Sequence, residues 1–356
     1  MSNVGQALAG ADGSPAGGAG DAASAPIFAA LDLGSNNCRL LIARPCSDGF
    51  RVIDAFSRIV RLGEGMAGPD SQLVLSEPAM RRTVKALRVC ANKMRRRAVA
   101  SARCVATEAC RRAANSRGFV KRVRRQTGIA LEVISNRQEA ELAVAGCAPL
   151  FDPEAENILI FDIGGGSTEI IWVALGAGAR PRILDAWSLP CGVITFAERF
   201  GRDRFSPDTY RAMVDHVRCL IAPFETAHAI AAAVRRGRVQ MVGTSGTVTT
   251  LAGIELDLAR YDRARVDGSY LDVATMRRLS RRLADLDCDA RAAHACIGRE
   301  RADLVVGGCA VVEAICDAWP VRRLRVADRG VREGILYDLI AADDAARAAQ
   351  AAAGDA

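Results

Sequence analysis

The chain has 356 residues, half of them apolar and a quarter charged, with aromatics at 5% and a formal net charge of +7. That length and balance describe a globular chain long enough for two domains. No apolar run approaches the ~18 residues of a spanning helix, so no membrane span is expected.

Residues 1 to 25 are rich in Gly, Ala and Ser without apolar periodicity, which predicts a disordered tail. They lack the basic start and compact apolar stretch of a signal peptide. The first structured unit is Ile27 to Asn37, an apolar run ending in Asp32-Leu-Gly34-Ser35-Asn36-Asn37 and turning into a second apolar stretch, Cys38 to Ala43. This reads as a strand-turn-strand unit. Further strands are expected at 51–55 and 58–61, ended by Leu62-Gly63-Glu64-Gly65. Ser76 is placed as a helix N-cap with Pro78 in the first turn, followed by the apolar stripe Met80, Val84, Leu87, Ala91 and Met94. A strand at 102–106, a helix around 119–125 and a strand at 131–134 complete an alternating α/β half over residues 26–150.

Ser135-Asn136-Arg137-Gln138 matches a capping box and places Glu139 in the first turn of a helix. An acid there suits the helix dipole, and it equally suits a general base projecting into a cleft; the local sequence leaves both open. Residues 151–340 form the second half, opened by Ile158 to Asp162 and the turn Ile163-Gly164-Gly165-Gly166-Ser167-Thr168-Glu169. A strand follows at 182–188 and a helix at 207–221. The run 240–247, with Gly243-Thr244-Ser245-Gly246-Thr247, then repeats the strand-then-glycine theme and enters a helix at 248–254. A helix N-terminus after a glycine turn is a ready phosphate site. A last strand at 324–327 meets Asp328 to Gly334 and a closing helix, which the Ala-rich tail 341–356 extends or frays from.

Asp-x-Gly turns are common, and a lone glycine-rich hairpin is usually only a turn. Two in corresponding places suggest two half-domains facing each other across a cleft. There, turn N–H groups form anion nests and the carboxylates Asp32 and Asp162 hold a cation or its waters. None of the glycine runs fits the Walker or dinucleotide fingerprint.

From Arg81 to Arg125 the chain is crowded with Arg and Lys, with Glu108 the only acid. This is either a solvated helix face or a polyanion track. Nucleic acid is disfavoured, since Phe119 is the only aromatic of the segment. The 12 cysteines include no Cys-x-x-Cys pair, and Cys104, Cys219, Cys309 and Cys316 lie in apolar runs, as buried reduced thiols do. A disulfide framework is not expected and the cytoplasm is the natural compartment. His216, His228 and His294 are not spaced with cysteines as zinc ligands.

Taken in order, Asp32 to Asn36, Gln138-Glu139-Ala140, Asp162 to Glu169, Gly243 to Thr247 and Arg332-Glu333-Gly334 resemble the exopolyphosphatase and guanosine pentaphosphate phosphohydrolase (Ppx/GppA) family, over about residues 27 to 340. The resemblance implies an α/β fold of two actin-like, ribonuclease-H-like domains around a central phosphate-binding cleft, in the short two-domain form. It implies Glu139 as the catalytic glutamate and Asp162 and Glu169, with Asp32, as metal-side acids for Mg²⁺ or another divalent cation. Phosphate binding would fall to Gly34, Ser35 and Asn36, to Gly164, Gly165, Gly166 and Ser167, and to Gly243, Thr244, Ser245 and Gly246. Gln138 stands where many relatives have Glu, and Asn37 where Ser is common. The expected activity is hydrolysis of the terminal phosphoanhydride of inorganic polyphosphate, with guanosine pentaphosphate as the alternative substrate. A kinase of the same superfamily, or a non-enzymatic actin-like or polyanion-binding protein, is a weaker reading. A homodimer is compatible with each.

Overall fold

The computed structural model describes residues 25–66, 73–176 and 180–354. The expected N-terminal tail therefore lies almost wholly outside the described residues. The first hairpin pairs β1 (Phe28–Leu33) with β2 (Asn37–Cys46), and β2 pairs in turn with β3 (Gly49–Ile59). β3 is one continuous strand rather than two, because Phe56 and Ser57, between the two expected strands, pair in regular register with Leu40 and Arg39 of β2. Next comes α1 (Glu77–Arg96), capped by Ser76, whose hydroxyl accepts from the Ala79 N–H at 3.3 Å. It leads to β4 (Ser101–Ala106), the short α2 (Glu108–Arg112), α3 (Ser116–Thr127), the two-residue β5 (Glu132–Val133) and α4 (Asn136–Cys147). The capping box of α4 forms in both directions: Ser135 Oγ accepts from Gln138 N at 3.2 Å, and Ser135 N donates to Gln138 Oε1 at 3.0 Å.

The second half repeats the plan. β6 (Asn157–Ile163), β7 (Thr168–Ala174) and β8 (Arg182–Leu189) form a meander, followed by α5 (Val193–Phe200), α6 (Pro207–His228) and α7 (Ile230–Arg235). Then come β9 (Val239–Thr244), α8 (Gly246–Glu255), α9 (Arg263–Val266), β10 (Tyr270–Asp272) and α10 (Val273–Asp285). The chain closes with α11 (Cys288–Ala292), α12 (Val305–Ala318), β11 (Arg323–Ala327) and α13 (Val331–Gly354), which runs unbroken through the Ala-rich stretch.

Two sheets result, of strand order β3-β2-β1-β4-β5 and β10-β11-β9-β6-β7-β8. In each, an antiparallel three-strand meander is extended through its first strand by parallel pairing, β1 to β4 and β6 to β9. α1 and α3 cover the outer face of the first sheet over Leu31, Leu33, Leu40 and Ile42, and α6, α8 and α12 cover the second. α4 and α13 lie between the sheets, in a core that joins Phe28, Ala30 and Leu41 of one sheet to Ile158, Ile160 and Ile171 of the other. Burial of each such large side chain contributes ~1.5–3 kcal/mol, so this middle layer binds the halves together. α13 follows the second sheet in sequence yet packs against β1 and β2 of the first.

Among the described residues no helix is long and apolar enough to cross a membrane. Cys104, Cys309 and Cys316 are buried as expected, but Cys219 is exposed, because its position on α6 falls on the solvent side of an amphipathic helix.

Candidate functional site

Both Asp-Gly hairpins are closed by the same bond: Gly34 N donates to Asn37 O, and Gly164 N to Ser167 O, each at 2.9 Å. The register places Arg39 across from Asp32 and Glu169 across from Asp162. Directly opposed residues point to the same face of a sheet. The two hairpins thus present one acid-base pair and one acid-acid pair to a common space. The turns themselves touch. A methyl on Gly165 would stand 2.9 Å from both Cβ and N of Asn36, so only glycine allows this approach.

The space between the halves is a cleft of about 950 Å³. It brings together Asp32, Gly34, Ser35, Asn36, Glu139, Asp162, Gly164, Gly165, Ser167, Glu169, Ser245 and Gly246. Gly166 faces the adjoining cavity beside Ser35 instead. Besides Gly166, two more expected phosphate-binding residues do not reach the cleft. Gly243 lies inside β9, where a Cβ would meet Phe161 Cζ at 2.6 Å; its glycine is required by sheet-helix packing. Thr244 turns to the back of the cleft, where its hydroxyl donates to Arg329 O at 2.9 Å. The active part of this third loop begins one residue later. Ser245 adopts φ of +152°, strained for a side-chain-bearing residue, and its hydroxyl accepts from Val248 N at 3.2 Å, aiming the N-terminus of α8 at the cleft.

The capping box points Glu139 inward, 13% exposed. Arg111 of α2 donates to its Oε2 at 3.0 Å, to Glu108 Oε2 at 2.7 Å and to the Ile134 carbonyl at 3.0 Å. Glu139 Oε1 is left without a protein partner among the described residues. Burial pushes the Glu139 carboxyl well above its ordinary pKa, aided by the Glu169 charge and opposed by Arg111. Glu169 is also raised by burial, and is held back by hydrogen bonds from Ser167 (2.6 Å) and Ser188 (2.9 Å). At the base of the cleft, burial and the Glu169 charge push Asp162 up to about 7, against the pull of Arg39. Asp32 is raised by burial, with Arg39 and Arg332 opposing.

Three functional residues escape a sequence reading. Arg39 was detectable, since it lies as far beyond Asp32 as Glu169 lies beyond Asp162. Arg111 looks like any other cation of a basic stretch. Arg301, from the loop before α12, carries no motif at all. Yet a methyl on Gly246 would stand 3.8 Å from Arg301 Nη1 and 3.9 Å from Arg39 Nη2, so two guanidinium groups converge over the start of α8. Neither is in an ion pair among the described residues. Burial and the Arg39 charge hold Arg301 below the usual arginine range. An arrangement of like charges at a helix N-terminus is relieved by a bound polyanion.

The chain is matched over residues 41–342 by the model of the Ppx/GppA phosphatase family. It is 28% identical over 322 residues to a guanosine-5'-triphosphate,3'-diphosphate pyrophosphatase of Photobacterium profundum, covering 88% of this chain and 59% of that protein. The chain therefore spans under two thirds of that relative's length. A putative exopolyphosphatase of Haemophilus influenzae is 27% identical over 321 residues, covering 88% of this chain and 91% of that one. Among solved structures, an exopolyphosphatase from Cytophaga hutchinsonii superposes with a TM-score of 0.77 at 25% identity, covering 89% of this chain and 98% of its own. The Aquifex aeolicus PPX-GPPA enzyme gives 0.71 at 26% identity, covering 88% and 99%. With paired phosphate-type turns, an inward glutamate and a family match across most of its length, the chain belongs to the Ppx/GppA phosphatase family.

Proposed function

We propose that the protein is an exopolyphosphatase, hydrolysing the terminal phosphoanhydride of inorganic polyphosphate. The observation that carries this reading is Glu139, whose free Oε1 faces a cleft walled by anion-binding turns and two unpaired arginines. Phosphoanhydride hydrolysis needs neutralised charge, a water held in line and a base for its proton. Backbone N–H groups of Gly34 to Asn36 and Gly164 to Ser167, with the α8 N-terminus at Ser245 and Gly246, cradle the terminal phosphates. Arg39 and Arg301 balance their charge. Glu139 Oε1 accepts the proton of the attacking water. Arg111 fixes Oε2 and opposes the upward push of burial and of Glu169 on the carboxyl.

A divalent cation suits this cleft. Asp32 and Asp162 are hard oxygen donors whose charges oppose each other, and the side-chain oxygens of Asn36 and Asn37 are buried without hydrogen-bond partners. Mg²⁺ suits such a donor set, since it keeps waters and binds through one or two carboxylates plus phosphate. When bound it would neutralise charge on the terminal phosphate. Asp32 and Asp162 would hold it, with Glu169, its Oε1 fixed by Ser167 and Ser188, as the third acid of the site. A reducing cytoplasmic setting belongs to the same reading, supported by nine buried free cysteines.

Guanosine pentaphosphate is the second reading, favoured by the name of the Photobacterium relative. Against it, among the described residues no aromatic side chain lines the cleft or the adjoining cavity to offer a base a stacking surface. Phosphate release with Mg²⁺ is to be measured in parallel on polyphosphate, guanosine pentaphosphate and ATP. Polyphosphate is expected to be the best substrate; preference for the pentaphosphate would reverse the order, and release from none would end the enzymatic reading. Glu139→Gln should fold and bind polyphosphate but hydrolyse it ~10²–10⁴-fold more slowly.

A further inference from the structure

The basic segment resolves into two uses of charge. Part of it is spent inside the protein: Lys93 and Arg97 on Asp54, Arg103 on Glu132, Arg111 on Glu108 and Glu139, Arg122 on Glu77. Arg82 and Arg112 also pair, with Glu64 and Glu108, and six of the other cations form two rows on the outer faces of α1 and α3. Arg81, Lys85 and Arg88 repeat at helical spacing on α1; Arg117, Lys121 and Arg125 repeat every fourth residue on α3. All six are exposed, and among the described residues none is in an ion pair. The rows are held side by side, since Arg122 grips both Glu77 oxygens at 2.9 and 2.8 Å while Arg88 donates to Gln126 at 3.0 Å.

Like charges at i,i+4 destabilise a helix. A fold that stacks them along two adjacent helices carries a cost that a linear polyanion lying along the rows would remove. The α3 row extends ~12 Å. It begins five residues beyond Arg112, which lines the cavity adjoining the catalytic cleft and sits 3.6 Å from Glu108. The only aromatic residue of the two helices, Phe119, is fully buried, so the face offers charge without a stacking platform.

We propose that the α1–α3 face is a docking track for the distal part of a polyphosphate chain whose end lies in the cleft, making the protein selective for long chains. This rests on the exopolyphosphatase reading above. The test replaces Arg117, Lys121 and Arg125 together by Gln, with Arg81→Gln/Lys85→Gln/Arg88→Gln as a second variant should the first fold poorly. The first variant removes exposed charge alone and the second also removes the Arg88–Gln126 bond; none of the six residues lines the cleft.

At ~0.7 counterions released per contact, three lost contacts should flatten the log–log salt dependence of KM for long polyphosphate by about 2. KM at 0.1 M salt should rise on the order of 10- to 100-fold, with kcat unchanged and tripolyphosphate hydrolysis unaffected. An unaltered long-chain KM and salt slope, with hydrolysis intact, overturns the track alone. If the wild type cleaves no polyphosphate of any length, the cleft reading falls and the track with it. Tighter binding of a single-stranded oligonucleotide than of polyphosphate of equal charge, abolished in the same variant, overturns the proposal in favour of a nucleic-acid surface.

Discussion

Replacing Arg111 by Met removes one cation from among Glu139, Glu108 and Glu169 while keeping a side chain of similar length. In the structure Arg111 donates to Glu139 Oε2 at 3.0 Å and to Glu108 Oε2 at 2.7 Å. A hydrogen bond to a charged group contributes ~1.5–3 kcal/mol, which is ~10- to 150-fold in an ionisation equilibrium. Glu139 is already raised by burial and by Glu169, and the variant raises it further. On the acidic limb of a kcat/KM profile the rate should fall by roughly that factor, and the limb should move to higher pH. At alkaline pH, where Glu139 ionises without help, activity should return to within several-fold of wild type.

Stability follows the same sign. The folded protein binds a proton on Glu139 that the unfolded chain has lost, so the variant's unfolding free energy should fall as pH rises above the ordinary glutamate range. An unmoved limb with a uniformly lowered plateau would refute the assignment of Glu139 as the titrating base.

Asp162 is pushed up to about 7, so its folded form retains a proton that the unfolded chain releases near pH 4. Asp162→Asn should therefore raise the melting temperature more at pH 8 than at pH 5, and a gain independent of pH would contradict the burial argument. Gly165→Ala drives a methyl to 2.9 Å from Asn36 and should cost ~1–3 kcal/mol in urea unfolding, with at least a tenfold loss of activity. Across the mouth of the cleft, Arg61 donates to both oxygens of Asp303 at 2.9 Å and Arg202 adds a bond at 2.8 Å. A double-mutant cycle on Arg61 and Asp303 should give ~1–3 kcal/mol of coupling, and zero coupling would show that the two halves are not held there. Arg301→Ala should raise KM for polyphosphate more than it lowers kcat; an effect confined to kcat would place Arg301 at the reacting phosphate.

The elements most legible in the sequence are those whose chemistry is local. Asp-Gly turns between apolar runs, and a Ser-x-x-Gln box, announce themselves within a few residues, and they position Asp32, Asp162 and Glu139. α12 left no such mark: nearly every residue from Val305 to Cys316 is buried, so it lacks the polar stripe that reveals an amphipathic helix. Gly243 read as part of a phosphate loop because strand-then-glycine is also the pattern of a close helix-sheet contact, and only Phe161, from another strand, distinguishes them. Arg111 and Arg301 acquire meaning from partners distant in sequence, Glu139 for the first and Arg39 for the second.

Where α4 crosses α13, two glycines bring the backbones together within the apolar layer. A methyl on Gly146 would stand 2.0 Å from the Gly330 carbonyl oxygen, and one on Gly334 would stand 2.1 Å from the Leu142 carbonyl oxygen. At these two points the helices bear on each other backbone on backbone, which fixes their spacing. It also makes the first turn of α4 a lever. Glu139 lies two turns from Gly146, ~10 Å along the helix, so a single methyl at the bearing would lift the glutamate without touching substrate. Since a misplacement of ~1 Å can cost ~10²-fold in rate, the proposed role of Glu139 makes its tolerance depend on two glycines outside the cleft lining.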